Sequence, residues 1–149
     1  MDIKITSQYL NKEQMVVVED FVNYCVKRFH LNKSNCRIKV SICQRIEYSD
    51  EGNCVFDDEH DYCKEVKIKV RYNKNMKRVL TALSHEMIHA KQYITGQLDF
   101  VGSKAHWRGA NVSTLEYRSQ PHEMEAFELE SVVLEDFYKS RKHKIHIKQ

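Results

Sequence analysis

Apolar positions near the start of the chain follow a helical period. Val17, Val18, Phe21, Cys25 and Phe29 recur mostly at three- and four-residue steps. Asn11, with Gln14 three residues on, resembles a capping box, so a helix is predicted over about residues 12–30. The period then changes to two. Ile38, Val40 and Ile42 alternate with Arg37, Lys39 and Ser41, and residues 66–70 alternate in the same way, which predicts two half-buried strands.

Between these strands, residues 47–61 hold seven carboxylates and no Lys or Arg, with Gly52 and Asn53 as turn residues, and read as a loop or loose hairpin. Asp57, Asp58, Glu59 and Asp61 lack the ligand spacing and central Gly of an EF-hand loop. Cys54, His60 and Cys63 form no CxxC knuckle. A long helix is predicted from an N-cap at Asn75 to a left-handed C-terminal residue at Gly96. Residues 98–118, with Gly102, Gly109 and alternating pieces such as 111–117, suit a loop with one or two short strands. Pro121 then opens a last helix running to about residue 138, with Met124, Phe127, Ser131, Leu134 and Tyr138 on one face.

A chain of 149 residues, 42% of them hydrophobic, fits one domain with one modest core and excludes intrinsic disorder. No apolar run approaches the roughly 20 residues of a membrane span, and no apolar signal segment follows Met1, so a soluble cytoplasmic protein without membrane contact is expected. Five Cys without an export signal read as reduced thiols. The net charge of +3 is unevenly spread: residues 139–149 hold five basic side chains and no acid, leaving 19 of the 24 basic groups against all 21 acids before them. Residues 1–138 are therefore expected to form the domain, and 139–149 a basic tail able to make weak nucleic-acid contact by charge alone.

The chemistry is concentrated in His85-Glu86-Met87-Ile88-His89, an HExxH sequence inside the predicted long helix. Four residues is just over one turn, so both imidazoles leave the same face and can grip one metal ion. That face also carries Arg78, Thr81, Ala82 and Gln92, while Val79, Leu80, Leu83, Met87, Ala90 and Ile94 lie opposite. A catalytic Zn²⁺ takes three protein ligands and leaves a fourth position open. A metzincin continuation is excluded, because Gln92 and Thr95 stand where its Gly and third His would be. Glu123 is the favoured third ligand, at the start of the last helix with a small Ala126 three residues on. Glu125 projects about 200° away and cannot share that role. His106 and His122 are the alternatives. Glu86 is the expected general base, passing a proton from water to the leaving amine. Tyr117, with Arg108 as the other candidate, can serve the developing oxyanion.

HEMIHA, then Trp107-Arg108-Gly109, then a Pro-x-Glu-x-Glu-Ala helix resembles small zincin metallopeptidases of the minimal gluzincin type and the SprT-like domains often encoded by bacteriophages, over about residues 65–138. The gluzincin resemblance implies Glu123 as third ligand in a Glu-x-x-Ala helix. It also puts Phe127 where an Asp that holds a ligand His commonly stands. A SprT or Spartan resemblance implies His106 as third ligand and DNA-bound proteins as substrates. A non-catalytic zinc-stabilised interaction module is the remaining alternative. The resulting expectation is a single α+β zincin-like domain, made of an N-terminal helix, a mixed or antiparallel sheet of about three to five strands, the HExxH helix and a ligand-bearing C-terminal helix. Its expected activity is zinc-dependent hydrolysis of protein or peptide substrates in a host cytoplasm. The acidic stretch is expected to favour basic substrates.

Overall fold

A computed structural model describes residues 1–46, 51–57 and 64–141. They form a small α+β domain. Strand β1 (Asp2–Ser7) is followed by helix α1 (Lys12–Arg28), strands β2 (Cys36–Cys43), β3 (Gly52–Asp57) and β4 (Lys64–Arg71), and helix α2 (Met76–Ile94). Strands β5 (Leu98–Val101), β6 (Lys104–Trp107) and β7 (Ala110–Asn111) come next, then a single 3₁₀ turn at Tyr117–Ser119 and helix α3 (Pro121–Ser140).

The main sheet has the order β1-β2-β4-β3. β1, β2 and β4 run parallel, and β3 pairs antiparallel with β4 at the edge. A parallel pair needs a crossover, and α1 supplies the one between β1 and β2. Ile38, Val40 and Ile42 of β2 and Val66, Ile68 and Val70 of β4 are at most 2% exposed and form one wall of the core. Phe21, Val22 and Cys25 of α1, Leu80, Leu83 and Met87 of α2 and Val133, Leu134 and Phe137 of α3 complete it. Phe21 meets Phe137 edge-on, with ring centroids 5.0 Å apart.

Both capping expectations hold. Asn11 Oδ1 accepts from the Gln14 amide at 2.8 Å while Gln14 Oε1 accepts from the Asn11 amide at 3.0 Å, and Asn75 Oδ1 accepts from the Lys77 amide at 3.0 Å. α2 is buried on both faces, because the sheet lies on one side and α3 on the other. A second antiparallel sheet, β5-β6-β7, closes over Leu98, Ala105 and Val112. Its last hairpin turns at Arg108 and Gly109, both at positive φ (50° and 88°), as a two-residue turn of that hand requires.

Several sequence expectations change, and residues 98–118 hold three short strands where one or two were expected, because the turn at Arg108 and Gly109 adds the two-residue strand β7. β1 is additional: with only Ile3 and Ile5 as inward residues, its periodicity is too short to stand out. The acidic stretch contains β3, so its hairpin reading holds for residues 52–57, while 47–50 and 58–61 lie outside the described residues, as do His60 and Cys63. Residues 113–117 are not a strand: beyond Asn111 the chain turns, and Asn111 Oδ1 accepts from the Ser113 amide at 3.0 Å. On α3 the buried face carries His122, Glu123, Ala126, Val133, Leu134 and Phe137, whereas Met124 is 48% exposed. The helix turns its polar ligand candidates inward toward α2, so apolar residues alone misplace its packing side. α3 also runs past residue 138, and the Arg141 guanidinium holds Asp20 through Nε at 2.9 Å and Nη2 at 3.1 Å. The remaining tail residues, 142–149, are outside the described set. Among the described residues no helix is long and apolar enough to cross a membrane.

Candidate metal centre

The centre is assembled by two antiparallel-packed helices and one edge strand. Ala126 is fully buried and leaves α3 close to α2, and Ser84 Oγ donates to the Glu130 carbonyl at 2.8 Å, which locks the two helices in register. This packing brings three donor atoms to one point. His85 Nε2 lies 3.2 Å from His89 Nε2, and Glu123 Oε1 lies 3.2 Å from the first and 3.1 Å from the second. His85, Glu86 and His89 are all buried, with ligand atoms within 4.8 Å of one another, and such a cluster can hold a metal ion.

The other ring nitrogens are fixed by acceptors. His85 Nδ1 meets Glu130 Oε2 at 2.9 Å, and His89 Nδ1 meets Gln92 Oε1 at 2.8 Å. The orientation of the Gln92 amide follows from its Nε2, which donates to the His122 carbonyl at 2.9 Å and to Glu125 Oε1 at 3.2 Å. Each histidine therefore carries its proton on Nδ1 and turns the Nε2 lone pair toward the shared point. Without a cation there, the same geometry needs extra protons. Burial alone would lower the His85 pKa, but hydrogen bonds to Glu123 and Glu130 outweigh it and raise it to about 9. His89 is raised in the same way against its own burial. Burial would raise the Glu123 pKa, yet the two histidines hold it far below the ordinary carboxylate range. The cluster is thus a concentrated negative site that demands positive charge.

Glu86 is 6% exposed and reaches the cleft from the same helix. Strand β3 passes so close that a Cβ on Gly52 would lie 3.1 Å from Glu86 Cγ and 3.2 Å from the Lys69 carbonyl oxygen. A glycine there is what lets the edge strand approach the carboxylate. The cleft in front encloses about 420 Å³ and is lined by Gly52, Ala82, His85, Glu86, Tyr117, Arg118 and Phe127. Tyr117 is 57% exposed and its hydroxyl donates to Glu123 Oε1 at 3.0 Å.

Of the residues the sequence singled out, His85, Glu86, His89, Glu123 and Tyr117 come together. Glu125 is turned away and pairs with Lys91 at 2.8 Å. His106 sits on β6 with Nδ1 on the Lys104 carbonyl at 3.1 Å and makes no hydrogen bond to either motif histidine. His122 is buried beside the centre, its ring 5.9 Å from that of His89, and burial lowers its pKa. Arg108 stacks over Trp107 instead of entering the cleft. The sequence puts Gln92 on the ligand face without revealing its bond to His89, and it does not single out Glu130. Glu130 lies seven residues after Glu123, two helical turns on the same face, and that spacing was its only signal. Phe127, at the position where the resemblance implied an Asp, packs its ring 4.7 Å from that of His85, and Glu130 one turn on supplies the carboxylate. In comparisons with protein-family models, curated proteins and solved structures, nothing matches this chain.

Proposed function

We propose that the chain is a zinc-dependent metallopeptidase with a zincin-like, gluzincin-type centre, in which His85, His89 and Glu123 hold the ion and Glu86 is the general base. The observation that carries the reading is the convergence of two Nε2 atoms and one carboxylate oxygen at 3.1–3.2 Å from one another. Bonds of about 2.0–2.2 Å in a tetrahedral zinc site put donor atoms about 3.3 Å apart, so the donor set and its spacing both fit. A mixed nitrogen and oxygen set also suits Zn²⁺ better than a hard cation such as Ca²⁺. When bound, the ion supplies Lewis acidity toward a peptide carbonyl and acidifies water.

The chain's own residues supply the rest. Glu86, buried and held against β3, can take a proton from water and return it to the leaving amine. Tyr117 lines the same cleft and donates its hydroxyl to Glu123 Oε1, from where it can turn that donor to an oxyanion. Among the described residues no strand pairs with the outer edge of β3, which can offer backbone groups to an extended peptide and makes protein or peptide segments the fitting substrate class. Glu130 and Gln92 keep both imidazoles oriented throughout. The test is Glu86→Gln, which should retain one zinc per chain and lower casein cleavage at least ~100-fold. A variant as active as the wild type would remove Glu86 from the mechanism.

A further inference from the structure

The face of the main sheet turned away from the helices carries a cationic array that the metal centre does not use. Strand register places its outward residues in rows. One row reads Lys4, Lys39, Lys67 and Val55; the row beside it reads Thr6, Ser41, Lys69 and Asn53; the row on the other side reads Asp2, Arg37, Glu65 and Asp57. Neighbouring strands lie about 4.8 Å apart, so three lysines stem from adjacent positions within about 10 Å. Like charges directly opposite one another weaken a sheet.

Among the described residues, the acids of these rows offset this only in part. Glu65 Oε1 is 3.4 Å from Lys39 Nζ and 3.7 Å from Lys67 Nζ, and its Oε2 is 3.6 Å from Arg37 Nη1. Arg37 also meets Asp2 at 3.1 Å. One buried carboxylate is therefore shared by three cations, and Lys4 and Lys69 have no ion pair among the described residues. Five cations face three carboxylates across the rows.

We propose that this face binds the phosphate backbone of duplex nucleic acid without reading its sequence. A regular row of cations matches a partner whose own charges are closely and regularly spaced. Thr6, Ser41 and Asn53 flank the lysines with neutral groups of the kind that contact phosphate oxygens. The rows hold no aromatic side chain, so unpaired bases find no stacking platform. Val55, 53% exposed, is the one apolar side chain, too little for the apolar centre of a protein interface.

The test is fluorescence anisotropy of a labelled mixed-sequence duplex with the full chain, between ~50 and ~200 mM salt. Binding should fall with salt at a log–log slope of about −3 to −4, corresponding to three or four phosphate contacts. The combined Lys4→Gln, Lys67→Gln and Lys69→Gln variant should bind at least ~10-fold more weakly, with a slope near −1 and a melting temperature no lower than that of the wild type. Lys69→Gln alone, which breaks no ion pair among the described residues, should flatten the slope by about 0.9. Neutralising Lys142, Lys144 and Lys148 to Gln should leave most of the binding in place. The proposal is overturned if the wild type does not bind duplex at low salt, or if the sheet variants bind like the wild type. Binding that disappears with the tail lysines also overturns it. Displacement by polyglutamate as effective per charge as by unlabelled duplex would assign the face to an acidic polypeptide instead.

Discussion

Glu130 bonds the far side of the first motif histidine, His85 Nδ1, at 2.9 Å, and touches no donor atom of the centre itself. Removing such a partner loosens the ring and its tautomer, so Glu130→Gln should weaken zinc affinity by about 10- to 100-fold while leaving the helices intact. Competition against a chelator of known affinity measures this, and unchanged affinity would mean that α2 alone orients the ring. The protonation of the metal-free cluster gives a second expectation. His85 in the folded chain titrates at about 9, above the value near 6.5 of an unfolded histidine. Its contribution to stability is therefore complete below pH ~6.5 and is lost as pH rises through about 9. The melting temperature of the metal-free protein should fall across that window, and the decline should be shallower in His85→Ala, where His89, raised in the same sense, supplies what remains. His85, Glu86, His89 and Glu123 were legible in the sequence because helical spacing alone puts the first three together and an inward helix start offers the fourth. Glu130 and Gln92 were not, since their roles depend on which atoms face each other across two packed helices.

Elements position these residues with little slack. The edge strand β3 reaches Glu86 only because Gly52 has no side chain, and the Lys69 carbonyl on the far side cannot yield. Gly52→Ala should displace the Glu86 carboxylate by a few tenths of an ångström and reduce kcat ~10-fold or more while zinc content stays at one per chain. Activity equal to the wild type would show that Glu86 has room to adjust. α1, β2, β4 and α2 were readable from period and caps, because each has a single consistent pattern over eight or more residues. β1 was not, since a six-residue strand with two inward apolar positions gives too weak an alternation. The buried side of α3 was misread for the opposite reason: its inward stripe begins with His122 and Glu123, and a hydrophobicity pattern cannot anticipate that polar groups are buried to serve a site.

At the scale of the whole molecule, three helices pack on one side of a mixed four-stranded sheet, with α2 sandwiched between the sheet and α3. This layering buries the HExxH motif from behind while the cleft, the edge of β3 and the Tyr117 turn leave it open in front. The α+β class and the two-helix construction of the centre follow from sequence periodicity. The crossed order β1-β2-β4-β3 does not, because strand neighbours are chosen by tertiary packing. In the proposed centre Glu123, across the α2–α3 interface, completes the donor set begun by the two histidines. Elemental analysis of the purified wild type, Glu123→Ala and His106→Ala measures it directly. One zinc per chain in the wild type and in His106→Ala, and its loss in Glu123→Ala, is the predicted result. Zinc that survives Glu123→Ala and is lost in His106→Ala, or a wild type without bound metal, would contradict the account.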